Sequence, residues 1–156
     1  MKQAIMKRWV KALRSRKYKQ GRGCLRGRNN HNVATNNFCC LGVLCDLFAK
    51  EHSGAGWVSK ADEARTNLQR SRCTFVEEKT DICATSDTDL PLRVRQWAGI
   101  KTASGHFDVT KEFSDILSPA TPGLGPTRAN LAELNDSCRL DFSQIADVVE
   151  KHWRKL

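Results

Sequence analysis

The stretch Asn37-Phe38-Cys39-Cys40-Leu41-Gly42-Val43-Leu44-Cys45-Asp46, NFCCLGVLCD, gathers three of the chain's seven cysteines. From Cys39 or Cys40 onward the apolar positions take a helical period. Cys40, Val43, Leu44, Leu47 and Phe48 share one face, while Asp46, Lys50 and Glu51 face outward. Asn37 is the expected N-cap, and the helix should end near His52, ahead of Ser53-Gly54-Ala55-Gly56. Cys45 lies off the main apolar stripe and reads as structural. Cys39 and Cys40 stand at the helix start, where exposed N–H groups lower a thiol pKa or hold an anion.

The residues before this helix are strongly basic. Residues 1–45 contain eleven Lys or Arg and no acid; the first is Asp46. The net charge of the chain is +9, so all of the excess lies in that third. This asymmetry points to a polyanionic partner: nucleic acid, a nucleotide or an acidic protein. The chain's 156 residues suit one globular domain with a real core. No window approaches 18 consecutive apolar residues, so no membrane span is expected. The first residues, MKQAIMKRWVKALRSRK, lack the apolar core and cleavage site of a secretory signal, and a cytoplasmic location follows. Reduced thiols are the expectation there.

Working outward, Met6, Trp9, Val10 and Leu13 fall on one face of a helix over about 3–15, with Lys7, Lys11 and Arg14 opposite. Gly21, Gly23 and Gly27 predict a short bent strand over 18–25. Residues 29–37, NNHNVATNN, read as a hairpin tip or loop. Short strands are expected at Trp57-Val58 and Thr74-Phe75-Val76, within an otherwise unreadable 59–88. Leu90–Trp97 reads as a helix with Pro91 in its first turn and Gly99 beyond its end. Asp108–Leu117 is another candidate helix. SPATPGLGP, 118–126, is a Pro/Gly-rich loop. Thr127 should cap a helix through Leu131, Leu134 and Asn135. Asp141-Phe142-Ser143-Gln144 is a capping box for a last helix. The fold class is therefore α+β: a small antiparallel sheet packed by about five helices, in one domain.

Three chemistries compete. Metal binding lacks paired Cys-x2-Cys ligands, and His31, His52, His106 and His152 are scattered, so no metal or cofactor is expected. Phosphate binding has more in its favour. The Gly21-Arg22-Gly23 turn can point N–H groups at an anion, Lys19, Arg26 and Arg28 add charge, and the Cys40 helix start lies close by in the chain. Non-specific nucleic-acid contact would use the basic stripe of the first helix.

Two resemblances bear on the choice. Phe38-Cys39-Cys40-Leu41-Gly42-Val43 resembles the nucleophile segment of the NlpC/P60 papain-like peptidases, whose motif is Asp-Cys-Ser-Gly. It implies Cys40 as nucleophile, and Gly105-His106 implies His106 as base. Cys39 and Leu41 replace the motif's Asp and Ser, and no third polar residue is assigned. Over most of the chain the order of landmarks resembles a family of small proteins of bacteriophages and their hosts. These landmarks are Trp9–Ser15, Tyr18–Leu25, Phe38–Asp46, Val94–Gly99, LAELND at 131–136 and Ile145-Ala146-Asp147. That resemblance implies an accessory role in evading host defence, inside the host bacterium.

The leading expectation is a non-enzymatic protein that binds a phosphate-bearing small molecule, such as a nucleotide immune signal. Lys19, Arg22, Arg26 and the N–H groups of Gly21, Gly23 and Cys40 would hold the phosphate. Tyr18 or Trp97 would stack on a base, and Asn135 and Asp136 would read hydroxyl or amide groups, or simply end their helix. A homo-oligomer would double the bases at a shared pocket. The alternatives are a cysteine hydrolase using Cys40 and His106, and a nucleic-acid or host-protein binder.

Overall fold

A computed structural model describes residues 1–29, 36–59, 70–77, 85–108 and 128–156. In chain order the elements are α1 (Gln3–Arg14), β1 (Lys19–Gln20), β2 (Arg26–Asn29), β3 (Asn36–Phe38), α2 (Cys40–Glu51), β4 (Gly56–Ser59) and β5 (Arg70–Val76). They continue with β6 (Thr85–Ser86), α3 (Leu92–Ala98), β7 (His106–Asp108), β8 (Arg128–Asn130), α4 (Leu131–Asp136) and α5 (Phe142–His152). The class is α+β, with five helices among the described residues. Most of the expected hairpin tip, the candidate helix after Asp108, the 118–126 loop and the Thr127 cap lie outside those residues.

Helix α2 is the centre. Cys40, Leu41, Gly42, Val43, Leu44 and Cys45 are all buried, so its first half is enclosed on every side. A helix that is apolar all round has no solvent face to show. Cys45 thus belongs to the core although it lies off the stripe. Gly42 explains how neighbours come so close: a Cβ there would overlap the carbonyl oxygen of Leu25, just before β2.

Helix α1 lays Ile5, Met6, Trp9, Val10 and Leu13 into the core. Trp9 is fully buried, and its indole Nε1 donates to the Cys40 carbonyl at 3.0 Å. Burying side chains of this size stabilises by about 1.5–3 kcal/mol each. On its other flank α1 packs along α5, where Arg14 pairs with Asp147 (2.5 Å) and Glu150 (2.8 Å). The capping box of α5 is present, with Asp141 accepting from the Gln144 N–H and Gln144 from the Asp141 N–H. His152 ends that helix buried, its ring stacked on Phe107. Gly99 terminates α3 at φ +70°, a left-handed conformation that glycine adopts at no steric cost. The buried carboxylate of Glu77, just after β5, accepts from the Arg93 N–H at the start of α3.

The main sheet runs β1-β3-β2-β5-β4, with β6 also on β5. It is mixed rather than antiparallel, because β3 inserts between β1 and β2 and runs parallel to β1. A separate antiparallel pair joins β7 to β8. That pair corrects two sequence readings: residues 128–130 are strand, and α4 starts at Leu131 with Asn130 as its cap. Pairing also sorts side chains. Gln20, Phe38, Arg26, Phe75 and Trp57 share the sheet face that α2 covers, while Lys19, Asn37 and Gly27 occupy the other.

Candidate functional site

The start of α2 is closed by the protein's own groups. Cys39, not Asn37, is the N-cap: its Sγ accepts from the Gly42 N–H at 3.3 Å, and its carbonyl accepts from Val43 at 3.1 Å. The Cys39 N–H donates to Leu25 O at 3.1 Å, fixing the cap against the chain that leads into β2. The Cys40 N–H donates to Asn135 Oδ1 at 3.3 Å. The Gly21 N–H donates to Phe38 O at 2.7 Å. Two of the three backbone donors expected to hold an anion are therefore engaged internally. Gly23, at φ +76° with open space at its Cβ position, stays at the surface of the turn.

Asn135 closes this arrangement. It is fully buried in α4, and its Oδ1 also accepts from Gln20 Nε2 at 2.9 Å. Its Nδ2 donates to Gly21 O at 2.9 Å and to Asp136 Oδ1 at 2.6 Å. Its carbonyl accepts from Arg22 Nε at 3.0 Å, and Gln20 Nε2 donates further to Leu140 O. One amide side chain thus ties β1, α2 and α4 together, and Asp136 holds its orientation. Every polar atom of Asn135 is occupied by the fold, which leaves none to read a ligand.

Tyr18 and Arg26 belong to a second cluster, toward the middle of α2. The Tyr18 hydroxyl donates to Asp46 Oδ2 (2.7 Å) and accepts from Lys50 Nζ (2.7 Å). Trp57 Nε1 donates to Asp46 Oδ1 at 3.1 Å, and Lys50 pairs with Asp46 at 2.8 Å. Burial, and then the bond to Asp46, raises the Tyr18 pKa, so the phenol keeps its proton at neutral pH. The Tyr18 and Phe38 rings meet edge-on, as do those of Phe38 and Trp57.

The guanidinium of Arg26 sits 5.3 Å from both the Phe38 and the Trp57 ring centroids. Among the described residues it pairs with no carboxylate, and its buried Nε has no hydrogen-bond partner. Lys19 is exposed on the opposite sheet face, so the alternation of β1 and β2 separates two bases expected side by side. Trp97 is separated too. It donates to Glu51, lies under Arg8, and among the described residues is linked to Trp57 through successive ring contacts with Phe48 and Phe75. Phe38, Asp46, Lys50 and Trp57 were not singled out from the sequence. Their common site depends on β4 pairing with β5, which no local pattern announces.

Cys40 and His106 do not form a pair. Cys40 is fully buried and its Sγ donates to Leu131 O at 3.3 Å. Burial, more than any nearby charge, pushes its thiol well above the ordinary value, and pushes that of Cys39 up to about 12. The expected lowering at a helix start is real but smaller than the desolvation. His106 is exposed on β7, and its Nδ1 bonds Ser104 Oγ at 2.8 Å. Cys39, Cys40 and Cys45 are free thiols. Among the described residues no group of three or more His, Cys, Asp or Glu could hold a metal ion, and no helix is long and apolar enough to cross a membrane.

The fold and this site define a small α+β domain built around an enclosed cysteine-rich helix, with an arginine held between aromatic rings beside it. The chain belongs to the family described as domain of unknown function DUF8296, whose model matches residues 1–153. No curated protein and no solved structure matches it.

Proposed function

We propose that the protein is a non-enzymatic binder of a phosphate-bearing small molecule, with Arg26 as its anchor. The observation that carries this reading is the state of the Arg26 side chain. Phe38 and Trp57 fix its guanidinium, yet no carboxylate among the described residues neutralises it. An arginine restrained in this way has already lost side-chain freedom, so less is lost on meeting a phosphate. Its planar fork suits a phosphate's paired oxygens.

The surroundings support a nucleotide within that class. Trp57 and Tyr18 offer aromatic surface beside the cation, and the Asp46 charge is met by Tyr18, Trp57 and Lys50. Arg22, exposed but anchored on Asn135, adds positive potential along the β1–β2 connection, and Lys19 adds more from the other sheet face. The backbone N–H groups of Gly21 and Cys40 have no part in this reading. The buried Cys40 thiol favours binding over hydrolysis. The landmarks shared with small phage proteins favour a nucleotide immune signal of the host as the particular ligand, with sequestration as the result.

The test starts with the purified protein. It is heat-denatured, and released small molecules are identified by mass spectrometry. Nucleotides and cyclic dinucleotides are then titrated calorimetrically. Arg26→Ala should abolish binding, while Cys40→Ser should retain it. Unchanged affinity in Arg26→Ala would refute the assignment.

A further inference from the structure

The bases of the N-terminal third do not share one fate. Arg8 pairs with Glu51, and Arg14 with Asp147 and Glu150. Arg22 is held on the Asn135 carbonyl, and Arg26 lies against two rings in the site proposed above. Lys7 and Lys11, one turn apart on the outer face of α1, are exposed and make no ion pair among the described residues. The same holds for Arg16 and Lys17 beyond the helix end. That turn is fixed: Ser15 Oγ donates to Ala12 O and accepts from the Lys17 N–H, while Arg16 takes a left-handed φ of 59°. Four cations without an ion partner among the described residues therefore stand on the outer face of α1 and on the turn that ends it. Lys7 and Lys11 are about 6 Å apart along the axis, closer than a Debye length of about 8–10 Å, so their fields add.

We infer that this group, Lys7, Lys11, Arg16 and Lys17, is a second binding surface that lies along the phosphate backbone of nucleic acid, separately from the Arg26 site. Charge complementarity selects a polyanion, since duplex DNA carries one negative charge per about 1.7 Å of axis. The make-up of the group selects nucleic acid over an acidic protein. Protein interfaces are anchored by buried aromatic or aliphatic side chains. The large hydrophobics exposed among the described residues are Val58 and Leu92, neither of them on α1 or its turn. A surface of cations without apolar anchors or base-reading groups contacts backbone and is indifferent to sequence.

The measurement is fluorescence anisotropy of the whole protein with a labelled mixed-sequence DNA duplex, at salt from about 50 to 200 mM. Four phosphate contacts predict a slope of log K against log salt of about −3 to −4. Lys7→Gln with Lys11→Gln should make that slope shallower by about 2 and weaken binding to two unrelated duplexes equally. Arg26→Ala should leave duplex binding unchanged, so loss of the small-molecule site and loss of this surface are read independently. The inference fails on absence of duplex binding at low salt or on an unaltered slope in the double variant. It also fails if the protein binds phosphatidylserine vesicles more tightly than the duplex.

Discussion

Asn135 reaches the N–H of Cys40 with its side-chain oxygen at 3.3 Å, joining helices whose contact residues are 95 positions apart in the chain. The same oxygen accepts from Gln20, and the amide nitrogen donates to the carbonyl of Gly21. A helix start that could receive an anion is instead completed from within. The residue in LAELND that invites a ligand-reading role is the one that completes it.

Replacing Asn135 should therefore cost stability before it costs binding. Asn135→Ala leaves the Cys40 N–H, the Gly21 carbonyl and one Gln20 bond without their partner in the interior. Gln20 keeps its bond to Leu140, so two groups are stranded at about 1–3 kcal/mol each, and a total of about 2–6 kcal/mol is expected from urea unfolding. Asn135→Asp is the sharper variant, because it keeps the shape but turns a carboxylate oxygen toward the Gly21 carbonyl. An Asn135→Asp protein with the parent midpoint would contradict the clamp.

Gly42 yields a prediction of opposite appearance. Glycine inside a helix is normally a weakness, and alanine there normally gains about 1 kcal/mol. Here the new Cβ would run into the Leu25 backbone, which cannot swing aside as a flexible side chain could. Gly42→Ala should lose more than about 4 kcal/mol or fail to fold. Gly56→Ala, where nothing lies within 4 Å of the added carbon, should stay within about 1 kcal/mol of the parent. Equal unfolding midpoints for the two variants would remove the close approach from the account.

What the sequence discloses, and what it hides, divides along the range of the interactions. α1, α3 and α5 carry their own signals: an apolar face, Pro91 and Gly99 at the two ends, and the Asp141–Gln144 box. These act within a few residues, and the structure has them. The N-cap of α2 is a subtler case. Asn37 is the better capping residue by type, but β3 needs it as a strand partner of Gly27 and Lys19, so Cys39 caps instead. The parallel pairing of β1 with β3 leaves no local trace at all.

The site divides in the same way. Arg26 is recognisable as a base in a glycine-rich segment, but its flanking rings come from β3 and β4. Lys19 and Arg26 look adjacent until strand alternation sends them to opposite faces. Cys40 has the local context of an activated thiol. Its burial, which outweighs that context, comes from the helices and strands packed around it.

That burial has a consequence for pH. The Cys39 thiol moves from an ordinary value near 9 to about 12, and those of Cys40 and Cys45 move the same way, with desolvation the first cause in each. Above pH 9 the unfolded chain gives up these protons while the folded chain keeps them. The unfolded state then binds fewer protons, so stability is complete below about pH 9 and falls as the pH rises toward 12. Each thiol contributes up to about 1.4 kcal/mol per pH unit across its own window, and the raised Tyr18 phenol acts in the same direction. Urea midpoints measured across that range should fall steadily. Cys39→Ser replaces the cap with a hydroxyl that does not ionise and accepts well from a helix N–H, so its decline should be shallower than the parent's. A midpoint that stays level from pH 9 upward would mean that these thiols are open to solvent and that the start of α2 is not closed.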